Sequence, residues 1–332
     1  MKRVGWVLLG PRTVASARLQ GYLIIDWMNA RPGWRADILH RPPAHYSSEI
    51  SRRRLLDAIL RLIWLRPHLV VFQKVAGRNA KLLMALARRL GSRVVFVDCD
   101  KRDGYDFAPQ VDVFVCPSQG MARDIAQQTG RDPVVIEDPA EFGISWSRSA
   151  TPEEHRPFRG VWVGSTFNFE EFRTFMQEVE QQSGPVAQID TISNHPEATR
   201  WWRLEDFPKI FEDYAFSVLP LPDRDYNAIK SSNRVVMCMA AGIPVVAQDH
   251  PAYRSVIRHD ENGLLFGDAA EFRDNIDRLR NPALRTRLSR QALDDISRSH
   301  TLDIIGWQWL DLFERTLAVP GDTAKAASEA KA

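Results

Sequence analysis

The chain has little of what would mark several common protein classes. It holds three cysteines in 332 residues, Cys99, Cys116 and Cys238, each inside an apolar or helical stretch and none at metal-ligand spacing. That excludes a disulfide framework and reads as buried thiols in a reducing compartment. No apolar run reaches the length of a membrane span, and Met1-Lys2-Arg3 leads into a strand-like run rather than a signal peptide. A cytoplasmic location is therefore expected. The eight histidines are scattered, and no pair has metalloprotease spacing. No G-x-S-x-G elbow, Walker loop, zinc-finger spacing or RNP-like aromatic cluster occurs. Serine hydrolase, P-loop and nucleic-acid-binding readings find no support, and nucleic acid is not expected as a partner.

What is present is a globular composition, 44% hydrophobic and 26% charged, long enough for two domains. The net charge of +2 hides an asymmetry. Residues 1–150 carry 23 basic and 14 acidic side chains, a net +9, and the remainder is net −7. A basic half of this kind collects anionic material such as a membrane or a lipid phosphate.

Short apolar runs alternate with amphipathic ones. Residues 3–10, 36–40, 68–73, 93–98, 111–116 and 133–137 read as strands; 16–31, 49–66, 79–90 and 120–129 read as helices. Such alternation predicts a doubly wound parallel sheet. Residues 140–159 lack periodicity and are expected to link two domains. A second alternating set follows. Strands are expected at 160–164, 186–192, 207–210, 216–219 and 245–247, helices at 169–182, 234–241, 269–280, 282–298 and 303–318. The expected organisation is a domain over 1–145, a second over 158–302, a last helix over 303–318 and a disordered tail over 320–332. In the helix at 49–66, Leu55, Leu56, Ile59, Leu62 and Ile63 are expected on the buried side. Arg52, Arg53, Arg54, Arg61 and Arg66 lie around the polar arc, where they would either be solvated or meet anionic lipid.

The segment from Lys230 to Phe266 is the most specific. It reads as polar loop, helix, turn at Gly242-Ile243-Pro244, buried strand, loop, helix and hairpin. Met237–Ala247 (MCMAAGIPVVA) and Asp260–Phe266 (DENGLLF) resemble the donor half of GT-B glycosyltransferases, especially family 4-like enzymes of the glycosyl transferases group 1 type. The resemblance implies an α/β fold of two Rossmann-like domains facing across a cleft, with the 303–318 helix returning to the first. It implies a hexosyltransferase of polysaccharide biosynthesis, metal-independent and retaining. Such an enzyme has no cofactor; a nucleotide-sugar serves as co-substrate, and the acceptor hydroxyl belongs to a glycan, a lipid-linked molecule or a small molecule. Peripheral contact with the inner face of an anionic membrane is a further expectation.

Residue by residue, Lys230, Ser231, Ser232, Asn233 and Arg234 precede the donor helix, where unpaired N–H groups and two cations would clamp a diphosphate. Gly164, Ser165 and Thr166 stand where the family carries a basic pair. In the first half, Gly10, Arg12, Ser16, Arg18 and Lys74 occupy strand ends expected to face the acceptor or a phosphate. Asp98 and Asp100 follow a strand and are the candidate catalytic carboxylates. A D-x-D binds Mn²⁺ or Mg²⁺ in GT-A enzymes; the GT-B resemblance makes the expected metal set here empty. Two family glutamates are absent: Ile229 and Met237 stand in their places, and Asp225, Asn227 and Lys230 are the candidate substitutes. Two alternatives stay open, a nucleotide-sugar epimerase or hydrolase on the same fold, and a non-catalytic nucleotide-sugar binding protein.

Overall fold

Runs of Val, Ile and Phe bounded by Gly, Pro and charged residues become short buried strands, and amphipathic runs between them become the crossovers. The computed structural model describes residues 1–40, 47–142, 156–221 and 227–319. Two units divide the chain. The first takes Met1–Ile136 and Asp303–Ala332, the second Glu137–Leu302.

In the first unit, β1 (Lys2–Leu8) leads into a helical stretch made of α1 (Ala15–Ala17), a π-helical turn (Arg18–Tyr22) and α2 (Leu23–Asn29). Then come β2 (Trp34–His40), α3 (Arg52–Leu65), β3 (Leu69–Gln73), α4 (Gly77–Arg89) and β4 (Arg93–Val97). β5 (Val113–Cys116), α5 (Gln119–Thr129) and β6 (Val134–Val135) complete it. The six strands are parallel, in the order β2-β1-β3-β4-β5-β6. α5 starts at a Ser118 cap, whose hydroxyl accepts from the Met121 N–H at 3.1 Å. In α3 the buried line is Ala58 and Leu62, while Leu56 and Ile63 are exposed. The expectation that those two face inward is corrected: the small Ala58 seats one narrow edge of the helix, leaving the opposite arc in solvent.

The second unit contains β7 (Gly160–Val163), α6 (Phe169–Ser183), β8 (Ile189–Ser193), β9 (Arg200–Trp201) and β10 (Phe216–Leu219). α7 (Asn233–Ala240), β11 (Val245–Gln248), α8 (Pro251–Arg254), β12 (Leu264–Phe266), α9 (Ala269–Arg278) and α10 (Pro282–Ser299) follow. Its six parallel strands run β12-β11-β10-β7-β8-β9.

Two expectations are corrected. Phe207–Ile210 is not a strand. It lies between and within two 3₁₀ turns, Leu204–Asp206 and Lys209–Asp213, because Phe207, Ile210 and Phe211 turn inward against one core. DENGLLF is not an antiparallel hairpin either. Asn262 folds the loop, accepting from the Arg258 N–H at 2.7 Å and donating to the Val256 carbonyl at 3.0 Å. The chain then enters β12 parallel to β11.

The passage between units falls after Ile136 rather than in 140–159. Glu137 meets the His300 ring at 2.9 Å and the Ala140 N–H donates to the His300 carbonyl at 2.7 Å, which ties residues 137–140 to the second unit. Most of the expected linker, residues 143–155, and the expected tail, 320–332, lie outside the described residues.

α11 (Leu302–Ala318) packs in the first unit. Trp309 and Phe313 lie 5.7 and 6.4 Å from the Trp6 ring, and the Trp27 indole donates to Asp303 at 2.6 Å. Gly306 makes that approach possible, since a Cβ there would sit 2.5 Å from the Trp27 ring.

Candidate functional site

In an open parallel sheet a ligand crevice forms outside the carboxyl ends of the strands, where strand order reverses. The first sheet reverses between β1 and β3, the second between β7 and β10. Every sequence-predicted site residue falls on a segment that follows one of these strands, or β4 beside β3.

At the first crest, the β1 loop is braced internally. Arg18 is buried and its guanidinium donates to the Arg12 carbonyl at 2.6 Å. Arg12 pairs with Asp26 at 2.7 Å and lies over the Tyr22 ring, and the Tyr22 hydroxyl donates to the Gly10 carbonyl at 3.2 Å. Ser16 is half-buried. Gln73 joins β3 to β1, its side-chain oxygen accepting from the Leu9 N–H at 3.3 Å. Lys74 turns the chain with φ 60°, a left-handed conformation uncommon for lysine, pinned by its N–H bond to the Val97 carbonyl at 2.9 Å. Its buried ammonium pairs with Asp100.

Asp98 and Asp100 separate in role. Asp98 is fully buried and accepts from the Cys99 N–H at 2.9 Å, the Asp100 N–H at 3.3 Å, the Tyr105 hydroxyl at 3.3 Å and the Arg102 guanidinium. Arg102 in turn donates to the Lys74 carbonyl at 2.8 Å. Burial pushes the Asp98 carboxyl up, with Arg102 foremost among the groups opposing it. Asp98 is thus held by donors of its own loop, and the partly exposed Asp100 is the carboxylate at the loop's surface. Among the described residues no three His, Cys, Asp or Glu side chains converge as a metal-ligand set.

At the second crest, Gly164 follows β7, with its N–H on the Ile192 carbonyl at 3.2 Å. Trp162 lies beneath it, and a Cβ at Gly164 would stand 2.2 Å from the indole ring. Ser165 and Thr166 are exposed. The 3₁₀ turn Asn227–Ile229 and Lys230 bring the chain to α7. Ser232 occupies the N-cap without capping through its side chain, so first-turn N–H groups of α7 are not met by that hydroxyl. The Ser231 hydroxyl donates to the buried Asp138 at 3.0 Å. Arg234 is half-buried and donates to the Tyr253 hydroxyl at 3.2 Å. Burial raises the Tyr253 phenol and Arg234 opposes that rise. Asn233 is the first residue of α7. Ile229 is buried and Met237 half-buried, so neither position of the missing glutamates offers a polar group. Asn227 is buried too, and Asp225 lies outside the described residues.

Asp138, Tyr253 and Arg102 were not found from sequence. Each acts through a fold-dependent contact, and none sits in a spaced motif.

Residues 154–281 match the model of the family described as glycosyl transferases group 1. That span holds the whole second crest except Asp138. A curated relative, the chitobiosyldiphosphodolichol beta-mannosyltransferase of Candida glabrata, is 26% identical over 98 residues. The match covers 29% of this chain and 21% of that protein. Among solved structures, the fold is similar to a glycosyltransferase from Rickettsia africae ESF-5, with TM-score 0.72, 10% identity, and 96% and 99% of the two chains covered. A sucrose-phosphate synthase from Thermosynechococcus elongatus gives 0.70 at 12% identity, covering 96% of this chain and 100% of that one. HepE from Anabaena, solved in complex with UDP-glucose, gives 0.69 at 13% identity, over 95% and 100%. The fold of the chain is that of the GT-B glycosyltransferases.

Proposed function

We propose that the protein is a glycosyltransferase that takes a nucleotide-sugar on its second unit and passes the sugar to an acceptor hydroxyl. The observation that carries this is the second crest. The Gly164–Thr166 loop follows β7, and Lys230 with the α7 N-terminus and Arg234 follows the neighbouring β10, so both belong to the switch point and lie inside the span that matches the family. The UDP-glucose complex of HepE supports a nucleotide-sugar as donor here.

In the proposed step, the acceptor oxygen bonds to the anomeric carbon while the bond from that carbon to the phosphate oxygen breaks. The acceptor proton passes to a carboxylate, for which Asp100 is the choice at the first crest. Lys230, Arg234 and the α7 amides take up the charge that grows on the leaving diphosphate, as preorganised donors do. The reading includes retention of anomeric configuration and no need for a metal. The acceptor is a glycan, a lipid-linked molecule or a small molecule, and the nucleotide is of UDP or GDP type.

The test is donor turnover measured with and without acceptor hydroxyls. Transfer product should form only with acceptor. Lys230→Ala and Arg234→Ala should each weaken nucleoside diphosphate binding by about 1.5–3 kcal/mol, the value of a charge-assisted hydrogen bond. Asp100→Asn should abolish transfer while leaving diphosphate affinity as in wild type. Wild-type diphosphate affinity in both cation variants would remove the clamp, and full transfer by Asp100→Asn would remove its role. The apolar Ile229 and Met237 favour a second reading, nucleotide-sugar binding without transfer. Donor bound tightly but never consumed would establish it.

A further inference from the structure

We propose that the exposed stripe of α3 seats the protein on an anionic membrane surface, its apolar side chains in the headgroup–acyl boundary and its arginines on lipid phosphates. At 3.6 residues per turn, positions 56, 60, 63 and 64 share about 100° of arc on α3, opposite Ala58 and Leu62. Leu56, Leu60, Ile63 and Trp64 are 60%, 59%, 46% and 81% exposed. Four large apolar side chains on one helix face, all in solvent, are too much for scattered surface residues and mark an interaction surface.

The charge around the stripe chooses the occupant. Arg52 flanks one side, Arg61 and Arg54 the other, and Arg53 and Arg66 stand at its two ends. Asp57, the one acidic residue of the helix, is spent on Arg61 at 3.1 Å. A second copy of the chain would bring arginines against arginines across such a face, at a cost in like-charge repulsion. Lipid phosphates bring the complementary sign. Beside the stripe, a groove of about 450 Å³ lies between α3 and α4, lined by two arginines, Arg52 and Arg78, one carboxylate, Glu49, and Leu55 and Leu82 among its apolar residues. It offers cations and apolar walls together, the pairing that a phospholipid headgroup and its upper acyl chain require. Among the described residues no helix is long and apolar enough to cross a membrane, so contact of this kind lies on the surface. The inference does not depend on sugar transfer.

The experiment uses the full chain with vesicles of phosphatidylcholine alone and of phosphatidylcholine mixed with phosphatidylglycerol, read by co-sedimentation at low and high salt. Wild type should bind the mixed vesicles, lose most of that binding in high salt, and ignore the neutral ones. Leu60→Ser/Trp64→Ser should weaken binding at least ~10-fold through lost apolar burial. Arg52→Gln/Arg53→Gln should weaken it about as much and flatten the salt dependence. These positions are solvent-exposed, so unchanged melting curves and diphosphate binding should accompany the loss. Equal binding to both vesicle types, or vesicle binding unaltered in the Leu60/Trp64 variant, overturns the proposal. So does a wild-type dimer in sedimentation velocity that this variant dissolves and that mixed vesicles leave intact.

Discussion

At the carboxyl ends of the first sheet the charged residues hold one another. Lys74 pairs with Asp100, Arg102 with Asp98, and Arg12 with Asp26, while Arg18 braces the Arg12 carbonyl. At the corresponding ends of the second sheet, Ser165 and Thr166 stand exposed, and Arg234 spends a donor on a neutral phenol. A crest whose cations are neutralised from within is built for shape. At the second crest the cations stand beside a helix N-terminus, the arrangement that the proposed diphosphate clamp uses. The family match covers the second crest, Asp138 excepted, and stops short of the first.

The comparison breaks most sharply at Asp98. If the first crest is a self-contained polar network, Asp98→Ala leaves Arg102, two backbone N–H groups and the Tyr105 hydroxyl without their acceptor. Removing one partner of a buried pair costs about 3–5 kcal/mol. The expected result is a large fall in denaturation midpoint with an unchanged denaturant slope. A midpoint within error of wild type would return Asp98 to the list of free catalytic carboxylates.

Next in size is a pH effect from the same unit. His40 ends β2, almost fully buried, and neither ring nitrogen has a hydrogen-bond partner among the described residues. Burial foremost, then Arg54, against Asp57, lowers its pKa to about 4 from 6.5. A histidine held neutral in the folded state takes its proton preferentially when unfolded. Its contribution is therefore intact above pH 6.5 and is lost as pH falls from there toward about 4, where it totals roughly 3 kcal/mol. Stability measured across that window should fall less steeply in His40→Leu than in wild type. Parallel curves would show that His40 does not set the slope.

Both Rossmann-like units were legible because each strand is a short apolar run and each crossover an amphipathic one, a periodicity that survives without tertiary information. The Met237–Ala247 segment was legible for a different reason, since a helix end, a turn at Gly242 and a buried strand must follow in fixed order. Phe207–Ile210 misled because an apolar run gives burial but not backbone shape, and there Pro208 opens a 3₁₀ turn. The Lys74–Asp100 and Ser231–Asp138 contacts join residues 26 and 93 positions apart. No local pattern encodes them. On α3 the periodicity fixed a stripe, but two apolar arcs compete on that helix, and only packing decides which is inward.

The smallest expected effect sharpens the comparison from the other side, at Gly164. Its φ is ordinary, so backbone strain is not the constraint; the Trp162 indole is, at 2.2 Å from where a Cβ would stand. Trp162 is itself fully buried, stacked on Phe172 with centroids 4.7 Å apart, and has little room to yield. Gly164→Ala should therefore cost about 1–3 kcal/mol of stability by overpacking. It should also displace the Ser165–Thr166 loop from the β7/β10 switch point, so diphosphate affinity should fall along with the melting temperature. The two readouts separate the roles. A lower melting temperature with wild-type affinity would make Gly164 a packing residue only, and the second crest would then rest on α7 alone. Loss of both, in a variant that alters no polar group, would show that the loop's position is part of the anion site.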